Sequence, residues 1–449
     1  MRRCGVGLVV LLVVAWFVWL TTQRPYVHMV AVEPRVCDGE SFAEPRSREE
    51  FRTLAELRVP VLLRNASVVQ AHNWPAMRWN LSHIASRLPV VPVYEQAHPH
   101  NTFITFHDNK PLEPVLRDAQ WHDFNVKRNA STAALFKDDT MACVPYARQP
   151  WLRHACAVPT RERWLYFSAR TQLLREFWPE MDTEAPLGPL AIADTGEQAN
   201  LWLGNAGIVT HTHYDASWNF FVQIKGCKRF TLFPPNTSLP LYPCLHPHIG
   251  HLAVDILNDA DLSQHEGLNV FVADVVPGDV LVVPPMWFHH VTTLSDSISF
   301  NVWTDAPEYV DIHAIYQQPV PLEATWSRAQ LLHSALLFLH AVCMRAQGRS
   351  CGEAVYTQRY HHLLASNSLK LAPQQDIERI RGLCNSQELN QAVDTERLLE
   401  RGEAIGREIG SMHVDARTLM LHNYMEHVLL AVSSPETVAH VVQHCRGKY

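Results

Sequence analysis

Between residues 189 and 305, eight short apolar runs alternate with turn signals, and this spacing constrains the fold more than any other feature of the chain. The runs cover residues 201–203, 208–213, 220–224, 229–233, 270–276, 280–283, 289–293 and 298–303. Gly226, Pro234-Pro235 and Pro277-Gly278-Asp279 punctuate them, and each run has the length of a strand rather than of a helix. Eight such strands predict a double-sheet jelly roll, whose mouth is an ordinary place for a buried ligand. Upstream, residues 59–63 and Trp164-Leu165-Tyr166-Phe167 are further strand candidates, and the segment after the latter has helical character. Downstream the pattern changes to helices over residues 322–347, 375–384, 387–410, 416–432 and 435–445. The fold class expected is α+β overall: a mainly β core with α-helical N-terminal elements and an α-helical C-terminal region.

The second feature is chemical. His213-Tyr214-Asp215 closes the second run, and His289-His290 opens the seventh. Alternate residues of a strand share a face, so His213 and Asp215 project side by side. Together with a distant imidazole they are the parts of a two-His-one-carboxylate facial triad, a donor set suited to Fe(II) with positions left open. His211 lies two residues before His213, so strand alternation puts it on the same face and makes it an alternative ligand. Only one of His289 and His290 can face inward.

Length, charge and the N-terminus bound the rest. With 449 residues there is material for two or three domains and a sizeable core. Net charge is −7 and only 18% of residues are charged, which argues against a general nucleic-acid binder. Arg2 and Arg3 precede an uncharged apolar run over residues 5–22, about 27 Å long as a helix and close to a bilayer core. Trp16, Phe17, Trp19 and Leu20 end it without a small-residue cleavage site, so an uncleaved signal anchor is expected. The chain would then be a single-pass type II membrane protein with its folded region in the lumen of the endoplasmic reticulum or Golgi. The alternative is secretion after cleavage. Four N-glycosylation sequons, at Asn65, Asn80, Asn129 and Asn236, suit either route. So do candidate disulfides between Cys143 and Cys156 and between Cys343 and Cys351, with buried free thiols as the other reading. The organisation expected is a cytosolic tail (1–4), an anchor helix (5–22), a stalk (23–50), an N-terminal part of the catalytic region (51–188), the jelly-roll core (189–305) and a helical C-terminal region (306–449). Residues 331–344 are apolar but short for a second span and hold two histidines, so a core helix is expected there.

The chain from Gly204 to Trp303 resembles the JmjC (cupin-8) family of Fe(II)/2-oxoglutarate oxygenases, in its asparaginyl-hydroxylase-like branch. The resemblance rests on Gly204 and Thr210 before His213-Tyr214-Asp215, Asn219-Phe220-Phe221, Gln223-Ile224-Lys225-Gly226-x-Lys228-Arg229 and Leu232-Phe233-Pro234-Pro235. It continues through Val276-Pro277-Gly278-Asp279 and Pro284-Pro285-x-Trp287-x-His289-x-Val291 to Asn301-x-Trp303, and more loosely back to about residue 51. The resemblance implies a cupin-type double-stranded β-helix and selects His213, Asp215 and His289 as metal ligands, over His211 and His290. It implies 2-oxoglutarate as cosubstrate with oxygen, its distal carboxylate held by Lys228, Thr210 and Tyr166. Asn219 and Asn301 would lie near its metal-bound end. Lys225 and Arg229 alternate with Lys228 and could stand in for it, but are expected in solvent. Cys244, His246, His248 and His251 are dense enough to suggest zinc, but their spacing fits no familiar signature. The branch implies hydroxylation of a protein side chain, here in the secretory pathway, rather than demethylation. The rival readings are a catalytically silent scaffold and a small-molecule or lipid oxygenase. The C-terminal helices could pair two copies or simply pack on the barrel.

Overall fold

The computed structural model of the chain describes residues 31–32, 35–37, 48–70, 74–97, 102–103, 126–135, 142–145, 154–157, 162–186, 198–237, 239–244, 250–253, 256, 269–348, 351–365, 374–383 and 394–445. The anchor run over residues 5–22 lies outside them. All eight expected core strands are present: β10 (Gln198–Gly204), β11 (Val209–Tyr214), β12 (Trp218–Lys225), β13 (Lys228–Phe233), β14 (Val270–Val275), β15 (Val280–Val283), β16 (Phe288–Thr293) and β17 (Ser297–Thr304). Before them in chain order come β1 (Ala31–Val32), β2 (Arg35–Cys37), β3 (Val61–Leu63), β4 (Val90–Ala97), β5 (Thr102–Phe103), β6 (Val126–Ser131), β7 (Ala142–Pro145), β8 (His154–Ala157) and β9 (Arg163–Arg170).

Two sheets face each other. The larger runs β2-β3-β15-β12-β17-β10-β9-β4-β6 and the smaller β1-β14-β13-β16-β11-β5. Their inner faces share a core that includes Leu62, Phe221, Phe230, Leu281 and Val291. The outer face of the large sheet is also covered, where Phe220, Val222, Leu201 and Phe300 pack under Trp74 and Trp178 from the N-terminal segments. Burial on both faces is why β15 reads as an unbroken apolar run and why β12 is interrupted only by Asn219 and Gln223 before Lys225. The small sheet is capped in turn. Phe233, Phe288 and Tyr214 join one cluster with Leu336, Leu339, Tyr424 and Val428 from the C-terminal helices. Those helices therefore pack on the barrel.

Several expectations shift in detail. Within the stretch read as a stalk, β1 pairs parallel with β14 and β2 parallel with β3, so these two short pieces extend the sheets. The long helix begins at Arg328, not near residue 322. Ser327 and Gln330 form a reciprocal capping box at its start, after a segment broken by Pro319 and Pro321. This helix, Arg328–Gln347, is long and apolar enough to cross a membrane by length and composition, but 61% of its apolar window is buried inside the protein. It is a core helix. The hairpin between β12 and β13 turns at Gly226, whose φ is +79°, and a Cβ there would lie 2.3 Å from the Asp296 carbonyl oxygen. That tight turn delivers Lys228 as the first residue of β13.

Cys343 and Cys351 are disulfide-bonded. Cys143 and Cys156 are register partners of β7 and β8, and their side chains lie outside the described residues. The four sequon asparagines are all exposed.

Candidate metal centre

A register slip builds the centre. Along β11 and β16, Thr210 pairs with Val291 and His213 with His289, so β11 carries one residue more than its partner between those points. This β-bulge resets the alternation of β11. Thr210 and His213, three residues apart, would point to opposite faces of a regular strand. With the bulge both line the same cavity. His211 is turned out of it: its Nε2 is 2.8 Å from the Leu252 carbonyl oxygen, and its ring stacks on His251. The same-face expectation for His211 is thus corrected. On β16 the adjacent pair divides as alternation requires, with His289 lining the cavity and His290 buried in register with Thr231.

The ligand atoms of His213, Asp215 and His289 all lie within 4.8 Å of one another, and no other such group of three occurs among the described residues. His213 Nδ1 is 2.8 Å from the carbonyl oxygen of His211, and His289 Nδ1 is 3.1 Å from that of Trp287. A carbonyl oxygen only accepts, so each Nδ1 carries the proton and each neutral ring keeps its lone pair on Nε2. His289 Nε2 is 3.7 Å from Asp215 Oδ2. Two neutral imidazoles and one carboxylate, converging from two strands, fit a divalent metal of the Fe(II) type.

Asp215 is oriented by a chain of donors. Trp303 Nε1 donates to its Oδ2 at 3.0 Å and Asn219 Nδ2 to the same oxygen at 3.2 Å. Asn301 Nδ2 donates to Asn219 Oδ1 at 3.1 Å, and Trp202 Nε1 to Asn301 Oδ1 at 2.7 Å. An indole N–H can only donate, so Trp202 fixes the amide of Asn301, which fixes that of Asn219. Both asparagines line the cavity, Asn219 directly beside Asp215. Trp202 has no sequence signal beyond being one of 13 tryptophans, and only its register opposite Ser299 and Ser168 brings it here.

Lys228, Tyr166 and Thr210 form the other wall. Lys228 is buried, its Nζ donates to Tyr166 Oη at 3.3 Å, and it lies 5.3 Å and 5.4 Å from the Tyr166 and Phe221 ring centroids. Burial lowers its pKa to about 7. Burial also pushes the Tyr166 hydroxyl well up, opposed by a hydrogen bond with Thr210. The ammonium has no carboxylate within ion-pair distance among the described residues, so an anion entering the cavity would complement it. The two cations expected in solvent differ: Lys225 is half-buried, and Arg229 is buried in a bidentate pair with Asp274 at 2.6 Å and 2.7 Å. Neither lines the cavity, which has a volume of about 800 Å³. Of the dense Cys/His cluster, Cys244 turns towards Arg359 at 3.5 Å and His251 stacks on His213. His246 and His248 lie outside the described residues.

Residues 47–308 match the family model described as a cupin-like domain, more than half of the chain. The chain belongs to the cupin-like JmjC family. Among curated relatives, a tRNA wybutosine-synthesizing protein 4 of Gibberella zeae is 36% identical over 107 residues, 24% of this chain and 9% of that protein. HSPB1-associated protein 1 of Rattus norvegicus is 32% identical over 120 residues, 25% of each chain. Lysine-specific demethylase JMJ30 of Arabidopsis thaliana is 28% identical over 110 residues, 24% of this chain and 26% of its own. The matches thus span about a quarter or less of these relatives' own length.

Proposed function

We propose that this chain is an Fe(II)- and 2-oxoglutarate-dependent oxygenase that hydroxylates a side chain of a protein in the secretory pathway. The observation that carries the reading is the pairing, in one cavity, of a facial His213/Asp215/His289 donor set with a buried lysine that has no anionic partner among the described residues. Members of the family generally use this metal and this cosubstrate, and the donors present suit both. His213 and His289 would offer Nε2, and Asp215 a carboxylate oxygen. Lys228, Tyr166 and Thr210 would take the distal carboxylate of 2-oxoglutarate, while Asn219 and Asn301 line its metal-bound end. When bound to the iron, 2-oxoglutarate supplies electrons for oxygen activation through its own decarboxylation. The aromatic walls of Tyr166, Phe221 and Trp303 limit water there, which strengthens the ion pair at Lys228.

A protein substrate is favoured over a small molecule by the mouth, which is rimmed by exposed Val90, Leu173 and Phe177. Lumenal placement, through the expected anchor, is supported by the four exposed sequons and the Cys343–Cys351 disulfide. The test is succinate formation by the full chain with Fe(II), 2-oxoglutarate and oxygen. Proteins trapped on an Asp215→Ala variant are then searched for the gain of one oxygen atom on treatment with active enzyme. Succinate dependent on His213, Asp215 and His289 is the expected result. Its absence with every trapped protein would instead assign the chain to binding without turnover.

A further inference from the structure

Three of the four most exposed large apolar side chains among the described residues stand around the mouth of the metal cavity. They are Leu173 (68%), Phe177 (62%) and Val90 (59%). Arg170, at the end of β9, is exposed beside them and has no ion-pair partner among the described residues. Arg87 on the same rim is already paired with Glu180 at 3.2 Å. Asp215, at the metal end, is the only acidic residue lining the cavity among the described residues. The rim is therefore basic and apolar on a chain whose net charge is −7.

Between rim and metal lies an unmet polar group. Asn200 is 8% exposed and lines the cavity, its Nδ2 donates to Ser168 Oγ at 3.4 Å, and its Oδ1 is buried without a hydrogen-bond partner. A buried acceptor left unpaired costs about 1–3 kcal/mol, and a turn of the Asn200 amide about χ2 would present it to a donor entering the cavity. The register places it in a row. Arg170 pairs with Asn200 across β9 and β10, and Asn200 with Asn301 across β10 and β17. Asn301 then donates to Asn219 and so leads to Asp215. A polar track thus crosses the sheet from rim to metal at about 5 Å per strand, flanked by apolar side chains.

We propose that this mouth takes an extended acidic–apolar peptide segment of a partner protein. Its carboxylate pairs with Arg170, a large apolar side chain rests on Leu173 and Phe177, and a peptide N–H donates to Asn200 Oδ1. A hydrocarbon chain has no donor for Asn200, which is why a peptide is favoured over a lipid. At about 3.3 Å per extended residue, the acidic residue lies roughly two positions from the one that donates to Asn200. The proposal rests on the oxygenase reading for the meaning of the metal end.

The experiment uses the full chain, immobilised, with a displayed random peptide library, and needs no turnover. Wild type is expected to enrich peptides with Asp or Glu near a large apolar residue. For the best such peptide, Arg170→Glu should weaken binding about tenfold and abolish its salt dependence. Phe177→Ser should relax the apolar preference. Asn200→Leu should lose about tenfold in affinity with no loss of fold stability, since it removes an unpaired acceptor. The same acidic peptides selected by Arg170→Glu would overturn the proposal. So would no enrichment by wild type, or binding instead to phosphatidylserine vesicles that Leu173→Ser or Phe177→Ser abolishes. Selection without succinate formation would leave the groove standing and remove the oxygenase reading. Succinate formation without selection would do the reverse.

Discussion

Lys228 is the residue on which the cosubstrate reading turns. Truncating one partner of a buried, hydrogen-bonded charge pair costs on the order of 2–5 kcal/mol. Lys228→Ala should therefore raise the 2-oxoglutarate requirement by about 30-fold to several thousand-fold while sparing metal binding. An unchanged succinate-against-cosubstrate curve would remove the lysine from the site. pH offers an independent measurement. With the folded pKa lowered to about 7 by burial, the empty site loses its ammonium as pH rises through neutrality. Affinity for the dianion, read by calorimetry, should weaken up to about tenfold per pH unit above that point. The stability effect has the opposite sign. Between about 7 and the ordinary 10.5 the unfolded chain holds the proton that the folded chain has released, so this lysine's contribution rises with pH across that window. Lys228→Met should flatten the rise in urea midpoint.

At the scale of elements, the β11 bulge decides which histidine joins the candidate metal site. His213→Ala should abolish Fe(II) or Co(II) binding, followed by anaerobic titration. His211→Ala should retain it, because the groove the metal needs is untouched and the carbonyl that holds His213 Nδ1 is main chain. Its cost should appear in stability, about 1–3 kcal/mol, since the Leu252 carbonyl oxygen loses its donor in a buried place. Loss of metal on His211→Ala would mean the bulge is misplaced. The sequence could not show this bulge, because alternation counted along one strand is silent about a register slip against another. Other features were legible for physical reasons. The eight core runs stand out because short, mostly apolar stretches of strand length stop at turn signals, and Gly226 and Pro277-Gly278 mark turns that other residues make poorly. The triad was legible only because spacing and surrounding motifs agreed. Arg229 was misjudged because its partner Asp274 lies on β14, 45 residues away, where no local pattern points. The start of the helix at Arg328 was readable in the Ser327 and Gln330 capping pair.

At the scale of the molecule, the C-terminal helices reach the metal strand through a buried ionic network. Arg359 lies in the π-helical turn Tyr356–Tyr360 and pairs with Glu426, both side chains fully buried. Arg359 also donates to Asn423 Oδ1 at 2.5 Å, and Asn423 Nδ2 donates at 3.0 Å to the hydroxyl of Tyr214, the residue between His213 and Asp215. Cys244 N donates to Glu426 at 3.2 Å, adding the loop after β13. Removing one member of a buried pair strands the other charge, so Arg359→Met should cost about 3–5 kcal/mol. Replacing both, as Arg359→Met with Glu426→Leu, should recover most of that loss. Tyr214→Phe deletes only a hydroxyl but leaves Asn423 Nδ2 unpaired, a cost of about 1–3 kcal/mol. Arg359 and Tyr214 both hold Asn423 and also interact electrostatically, so their substitutions should be coupled by about 0.5–3 kcal/mol in a double-mutant cycle. Urea unfolding of the four proteins measures that coupling, and metal titration of the same four shows whether it reaches Asp215. Additive losses would mean that the helices cover the small sheet without steering the strand that carries the metal ligands. Coupled losses with weakened metal binding would make the helical region part of the centre, which a jelly roll trimmed at residue 306 could not reproduce.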